Sequence, residues 1–198
     1  MNSLLYIHGF NSSERSHKAS VLSTAIDELG ISDCFISPRL PWQPARAIAL
    51  LEELIGKRLE AYSASSITLI GSSLGGFYAR YLAEKFQLKA ILVNPAVQAP
   101  SLLVDYLGSQ YNPYTGEHYE LTQGHMDELV ALEVPITAPE NYWLMLQEGD
   151  EVLDYRIALK AFPGTIKLTL EENGDHRFVG FERFRGDILR FAGISAEL

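Results

Sequence analysis

Gly71-Ser72-Ser73-Leu74-Gly75-Gly76 is the stretch that decides the fold. It follows the apolar residues 67–70 and precedes a segment of helical periodicity that continues to residue 85. The segment thus predicts a strand, a tight turn and a helix in this order, and the turn has glycine two positions before and two positions after a serine. This pattern is typical of turns that expose a serine hydroxyl between a strand and a helix. The pattern predicts Ser73 as a nucleophile. The alternative is a glycine-rich turn whose serines only cap the helix.

Short apolar runs and segments of helical periodicity alternate on both sides of this turn. The predicted strands are residues 4–7, 35–36, 67–70, 90–93, 142–146 and 166–170, and the predicted helices are about 16–29, 45–62, 74–85, 153–161 and 182–191. All-apolar runs fit strands that are buried on both faces. The alternation therefore predicts an α/β fold with a mainly parallel central sheet of about six strands and helices on both faces. Loops that follow the strands then share the carboxyl edge, where ligands bind.

The alternation stops between residues 97 and 141. This segment is rich in turn residues at 112–116, carries Tyr106, Tyr111, Tyr114 and Tyr119, and predicts one short helix at 126–132. An aromatic excursion over the carboxyl edge would act as a short cap that shapes a substrate pocket, whereas a plain surface loop is the alternative. No repeat or domain boundary is visible, so residues 1–198 are predicted to form a single domain.

Composition excludes several classes of function. The net charge of −9 would repel nucleic acid and anionic lipid. The single cysteine, Cys34, excludes an internal disulfide and offers no cysteine pair for a metal. No segment approaches the roughly 20 apolar residues of a membrane span, and the N-terminus lacks the basic region of a signal peptide. We therefore expect a cytoplasmic protein that binds neither nucleic acid nor a metal, and we predict no oligomeric state.

Three side chains of complementary chemistry follow separate predicted strands. Ser73, Asp150 and His176 each lie in the loop after a strand, in the order nucleophile, acid and base. A serine hydroxyl is a poor nucleophile near neutral pH, so acyl transfer needs a base within reach and an acid that orients the base. Because the carboxyl ends of parallel strands meet at one edge, we predict that these three side chains converge there.

Other carboxylates compete for the acid position. Asp150 is preferred because it follows the fifth predicted strand closely, whereas Asp154 should already be helical and Asp175 is adjacent to the histidine. Glu148 and Glu151 remain alternatives. Among the histidines, His176 is the preferred base, since the others lie in the first loop, at a helix start or in the excursion. These others are His8, His17, His118 and His125.

An acyl-transfer site also needs donors for the oxyanion. The amide that follows the nucleophile, at Leu74, and an amide of the first loop, for which Phe10 is best placed, are the candidates. The helix that begins at Leu74 adds the positive end of its dipole. His8 and Gly9 are predicted to shape the loop rather than to transfer protons. Ser72 has the wrong spacing from the glycines and is predicted to point away or to cap locally.

At this point the chain resembles the α/β-hydrolase superfamily and, more narrowly, the small YqiA-like esterase family. The resemblance covers nearly the whole chain and is carried by six segments. These segments are Leu5-Tyr6-Ile7-His8-Gly9-Phe10-Asn11-Ser12-Ser13, Gly71-Ser72-Ser73-Leu74-Gly75-Gly76-Phe77-Tyr78, Val93-Asn94-Pro95-Ala96-Val97, Asp105-Tyr106-Leu107-Gly108, Asn112-Pro113-Tyr114-Thr115-Gly116 and Gly149-Asp150-Glu151-Val152-Leu153-Asp154-Tyr155. One departure stands beside the histidine, where the family's Gly-Asn-His-Ala is replaced by Gly174-Asp175-His176-Arg177.

The resemblance implies a compact α/β-hydrolase fold and a serine esterase. It implies hydrolysis of small to medium acyl esters, with acyl thioesters as a second class, by a triad of Ser73, His176 and Asp150 without a cofactor. The small-molecule ester would be its partner. Two other interpretations use the same fold. They are a catalytically silent α/β-hydrolase that acts as a binding or scaffold protein, and peroxidase-like chemistry on the same triad.

Overall fold

Six parallel strands form the central sheet in this computed structural model, which describes residues 2–194. The strands along the chain are β1 (Ser3–Ile7), β2 (Phe35–Ile36), β3 (Ile67–Ser72), β4 (Lys89–Val93), β5 (Gly108–Tyr111), β6 (His118–Leu121), β7 (Tyr142–Gln147) and β8 (Lys167–Glu171). The sheet order is β2-β1-β3-β4-β7-β8, and every neighbouring pair is parallel. The predicted six-stranded α/β architecture is therefore confirmed.

Helices cover both faces of this sheet. They are α1 (His17–Asp27), α2 (Pro44–Ala61), α3 (Leu74–Phe86), α4 (Ala99–Leu103), α5 (Gln123–Val130), α6 (Tyr155–Ala161) and α7 (Arg185–Phe191). Residues of α1 and α7 pack in one apolar cluster, and residues of α2, α3 and α6 pack in the other. Strands β1, β3, β4 and β7 are buried almost throughout, as expected for strands covered on both faces.

The segment 97–141 contains more regular structure than its sequence predicts. Strands β5 and β6 form an antiparallel hairpin, and α5 begins at Gln123 rather than near residue 126. Thr122 and His125 cap α5 reciprocally, because each side chain bonds to the other residue's backbone N–H. The earlier start of the helix follows from this capping box. No helix of residues 2–194 is long and apolar enough to cross a membrane.

Gly75 lets the first turn of α3 lie directly against β1. A Cβ atom at this position would stand 2.0 Å from the Ile7 carbonyl oxygen and 2.8 Å from the His8 carbonyl oxygen. Both obstacles are backbone atoms of the strand and loop that border Ser73, so neither can rotate away. The close contact explains why this position of the turn needs glycine.

We therefore expect Gly75→Ala to lower the free energy of unfolding by more than about 4 kcal/mol, the range of severe backbone and packing defects. Gly56→Ala is the matched control, because Gly56 lies inside α2 and its added Cβ would meet nothing within 4 Å. That change should be neutral or stabilising by up to about 1 kcal/mol. Chemical denaturation measures both, and equal stabilities for the two variants would contradict the described packing.

Candidate active site

Ser73 occupies a strained turn between β3 and α3. Its backbone has φ +56° and ψ −121°, a region that non-glycine residues rarely adopt. The turn is held by main-chain bonds, since Ser73 N–H donates to the Val93 carbonyl at 3.1 Å and Ser73 C=O accepts from Gly76 and Ala96. Its side chain makes no helix-capping bond, which argues against a purely capping role. The hydroxyl is therefore free to face the loops of neighbouring strands.

The structure brings Ser73, His176 and Asp150 together. His176 Nε2 lies 3.1 Å from Ser73 Oγ. On the other side of the ring, His176 Nδ1 lies 2.8 and 3.0 Å from the two carboxylate oxygens of Asp150. A carboxylate accepts only, so Nδ1 carries the proton and Nε2 is the acceptor for the Ser73 hydroxyl. This is the geometry that a serine needs to lose its proton to a histidine.

The Asp150 carboxylate is buried and fixed. Its side chain is 1% exposed, and Oδ1 accepts the backbone N–H groups of Val152 and Leu153 at 2.9 and 2.8 Å. These two donors hold the carboxylate in place and leave Oδ2 for the histidine. The site thus contains a serine, a histidine and a carboxylate linked in one hydrogen-bonded chain.

The competing carboxylates lie elsewhere. Asp154 is not helical, contrary to the prediction, because α6 begins one residue later and the Asp154 side chain caps it by accepting the Arg156 N–H. Glu151 accepts the backbone N–H of His176 at 2.9 Å, a bond that lowers the pKa of Glu151. Glu148 is exposed, and Asp175 makes no bond to the His176 ring. Asp150 alone among the candidates reaches Nδ1.

Two buried amide side chains hold the loop that carries His176, and sequence reasoning did not identify either. Asn94 donates to the carbonyls of Asp175 and His176 at 3.0 and 3.3 Å. Gln147, which is 1% exposed, accepts the backbone N–H groups of Asp175 and Val179. Asn94 appears within one of the family-like segments, but its bonds join residues more than 80 positions apart, which no local pattern signals.

The two amides proposed for an oxyanion hole belong to segments that meet at Ser73, since Leu74 follows Ser73 directly and Phe10 lies in the first loop. Gly9 touches this turn closely, since a Cβ there would lie 3.2 Å from Ser73 Cβ and 3.8 Å from Leu74 N. Phe10 is the next residue and lines the cleft beside Ser73. Within residues 2–194, neither the Phe10 N–H nor the Leu74 N–H donates to another residue. Among the described residues, both amides thus lack a hydrogen-bond acceptor.

His8 fixes the first loop, as its sequence position predicts. Its Nε2 accepts the Leu40 N–H at 3.2 Å, and its Nδ1 lies 3.1 Å from the Gly9 carbonyl. Burial lowers the pKa of His8, and the Gly9 carbonyl opposes this effect. A neutral ring with its proton on Nδ1 satisfies both contacts.

The β5–β6 hairpin packs on the same loop. Asn112 Nδ2 donates to the Ser12 carbonyl at 2.9 Å, and the Tyr119 hydroxyl donates to Asn11 Oδ1 at 2.6 Å. Asn112 Oδ1 also accepts the backbone N–H groups of Tyr114 and Thr115, which forms the turn of the hairpin. The Asn-Pro-Tyr-Thr-Gly segment therefore builds a turn that is anchored to the loop bordering Ser73.

An open cleft of about 600 Å³ lies beside Ser73 and His176. Its walls combine aromatic and charged side chains from the first loop, α1, the hairpin and the loop after β8. They include Tyr6, Phe10, Lys18, Tyr114, Asp175 and Arg177. Within residues 2–194, no group of three or more histidine, cysteine or carboxylate side chains is arranged to hold a metal ion.

Solved structures of hydrolases share this fold at low sequence identity. The mouse alpha/beta hydrolase domain-containing protein 10 superposes with a TM-score of 0.65 at 16% identity, over 96% of this chain and 89% of its own. Est1E from Butyrivibrio proteoclasticus, with ferulic acid bound, gives 0.65 at 13% identity over 96% and 88%. The esterase domain of a Rhodothermus marinus protein gives 0.64 at 18% identity over 95% and 84%.

These likenesses show the α/β-hydrolase fold. The sequence itself matches a family model over residues 3–193, nearly its full length, and the model is described as "Uncharacterised protein family (UPF0227)". The resemblance inferred from the six segments is thereby confirmed. This chain belongs to the UPF0227 family, which is YqiA-like, and it has the α/β-hydrolase fold.

Proposed function

We propose that this protein is a serine esterase that hydrolyses small to medium acyl esters, with acyl thioesters as a second substrate class. The observation that carries the proposal is the hydrogen-bonded chain from Ser73 Oγ through His176 to the buried Asp150 carboxylate. Such a chain supplies a nucleophile, a base and an orienting acid in one unit. The esterase structures with the same fold agree with this reaction class.

In the proposed first step, Ser73 Oγ attacks the carbonyl carbon of the ester. His176 Nε2 takes the hydroxyl proton as the new C–O bond forms, and Asp150 stabilises the resulting imidazolium. The carbonyl oxygen gains the negative charge and accepts the N–H groups of Phe10 and Leu74. Donors that are already oriented stabilise this charge without reorganising, which is where much of the rate enhancement arises.

The intermediate then collapses to an acyl-enzyme. The bond between the carbonyl carbon and the leaving oxygen breaks, and His176 Nε2 returns its proton to that oxygen, so the alcohol departs. Water follows the same route, because His176 removes its proton while the water oxygen attacks the acyl carbon. The carboxylic acid leaves and Ser73 regains its hydrogen. A thioester would follow the same steps with a thiol as the leaving group.

Labelling by a fluorophosphonate probe tests the proposal. We expect one probe per chain, attached to Ser73 and located by peptide mass spectrometry, with loss of p-nitrophenyl butyrate hydrolysis in proportion to labelling. The phosphorus of the probe reacts much faster with a serine that a base has activated than with other hydroxyl groups, so rapid labelling reports the activated nucleophile. Oxygen and sulfur esters of graded acyl length, assayed on the same preparation, then rank the substrate classes.

A folded protein that is not labelled would contradict the esterase proposal and favour the catalytically silent alternative. Hydrolysis that depends on a carboxylic acid together with peroxide would indicate peroxidase-like chemistry instead. Labelling at another serine would contradict the role of Ser73.

A further inference from the structure

Lys18 is a buried cation in the wall of the cleft. It is the second residue of α1, and only 9% of its surface is exposed. Lysine is almost never buried to this extent unless it is paired, because removing an ammonium group from water is costly. Lys18 nevertheless lines the same cleft as Ser73 and His176.

No side chain or carbonyl in residues 2–194 pairs with the Lys18 ammonium. Among the described residues, the ammonium makes no hydrogen bond and no ion pair within 4.0 Å, and Nζ lies 6.0 Å from the centroid of the Phe181 ring. Asp175 shares the cleft, but its buried Oδ1 also has no hydrogen-bond partner. The two opposite charges therefore do not satisfy each other directly.

The charge on Lys18 persists near neutral pH. Burial is the main cause that lowers its pKa to about 8, and the neighbouring Arg177 acts in the same direction, whereas Asp175 and Asp150 oppose it. At pH 7 the side chain is thus largely protonated. Arg177 lines the cleft as well and adds a second positive charge. The cleft lining thus carries two cationic side chains, Lys18 and Arg177, beside two carboxylates, Asp175 and Glu182.

We propose that Lys18 is an anion-binding residue of the substrate cleft, so that the preferred substrates are acyl esters that carry a carboxylate or phosphate group. The inference rests on the proposed esterase function. An anionic group would supply the partner that Lys18 lacks and would be bound by a charge-assisted hydrogen bond, with Arg177 reinforcing the attraction. Because only 9% of the Lys18 surface is exposed, less water competes for such a bond than at an exposed lysine.

Matched pairs of substrates test this proposal. On the acyl side, p-nitrophenyl hydrogen glutarate is compared with p-nitrophenyl pentanoate, which has a similar length but no charge. On the alcohol side, 3-carboxyphenyl pentanoate is compared with 3-(methoxycarbonyl)phenyl pentanoate, in which a methyl ester replaces the charged carboxylate. For each pair, the measured quantity is the kcat/KM of the charged substrate divided by that of the neutral one. We expect this ratio to be about tenfold or more lower in Lys18→Met than in wild type for one of the pairs, the loss typical of a hydrogen bond to a charged group.

Two further variants control the measurement. Lys18→Arg keeps the charge and should keep most of the preference. Lys160→Met removes a positive charge from the exposed end of α6, outside the cleft, and should leave the ratio unchanged. Lys18→Met exchanges a buried charge for an apolar side chain of similar size, so we expect this variant to fold. If it does not fold, Lys18→Gln is assayed in its place. Equal ratios in wild type and Lys18→Met for both pairs would overturn the proposal.

A binding measurement separates this inference from the esterase proposal. Calorimetry with monoethyl glutarate and with inorganic phosphate on Ser73→Ala, compared with the Ser73→Ala/Lys18→Met double variant, requires no catalysis. Weaker binding of either probe by the double variant supports the anion site even if wild type hydrolyses no ester, and identifies carboxylate or phosphate as its ligand. Equal binding of both probes, or none, rejects the site even if neutral esters are hydrolysed.

Discussion

Ser73→Ala is expected to lower kcat for ester hydrolysis by about 10⁶-fold, the loss seen when the nucleophile of such a triad is removed. The change deletes the atom that would form the covalent bond and leaves His176 without a hydroxyl to deprotonate. KM should change little, because the cleft walls and the two free amides of Phe10 and Leu74 remain. Steady-state kinetics with p-nitrophenyl butyrate measures both constants.

Ser72→Ala is the matched control for this variant. Ser72 ends β3, is 5% exposed, and pairs along the sheet with Val93. Its replacement removes the same hydroxyl group one position earlier, so we expect the wild-type kcat to be retained. Because both variants are serine-to-alanine changes, comparing their kcat values identifies which of the two serines is the nucleophile. A Ser73→Ala enzyme that keeps a tenth of the wild-type activity would contradict the assignment of Ser73 as the nucleophile.

The sequence was sufficient to predict where the three side chains would meet. Ser73, Asp150 and His176 follow β3, β7 and β8, and the strand order places these ends at one edge of the sheet. The prediction depends on the glycine pattern around Ser73, on strands that can be recognised in the sequence and on loops that follow these strands closely. Parallel topology then brings residues from distant parts of the chain within hydrogen-bonding distance.

Features that depend on tertiary contacts were not predictable in this way. The hairpin strands β5 and β6 are short and largely polar, so they show no apolar run, and their stability comes from bonds such as Asn112 to Ser12. Asn94 and Gln147 look like ordinary polar residues at strand ends, and only the folded structure shows that they bind the loop of His176. Lys18 likewise looks in the sequence like an ordinary exposed residue at the start of a helix.

Asp150→Asn is expected to lower kcat by about 10⁴-fold near neutral pH, the loss known for an acid-to-amide change in such a triad. The hydrogen bonds of the site give the reason. Two backbone N–H groups, from Val152 and Leu153, point at the Oδ1 position, so the amide oxygen must stand there. The amide NH₂ then faces His176 Nδ1 and donates to it.

This arrangement reverses the tautomer of the His176 ring. When Nδ1 must accept a hydrogen bond, the ring proton moves to Nε2, and Nε2 can no longer take the proton of Ser73. The effect is on the tautomer rather than on the fold, since the two backbone donors keep their acceptor. We therefore expect a thermal midpoint close to that of wild type, together with a large loss in kcat and slow fluorophosphonate labelling of Ser73.

Asp154→Asn provides the matched comparison, because it makes the same chemical change at a carboxylate that caps α6 and does not contact His176. Asparagine is about as good a cap as aspartate, so that variant should keep the wild-type kcat. If Asp150→Asn instead retained more than a tenth of the activity, the acid would have to be sought elsewhere. Glu151→Gln would be the next variant to assay, since Glu151 is the other carboxylate bonded to His176, through its backbone N–H.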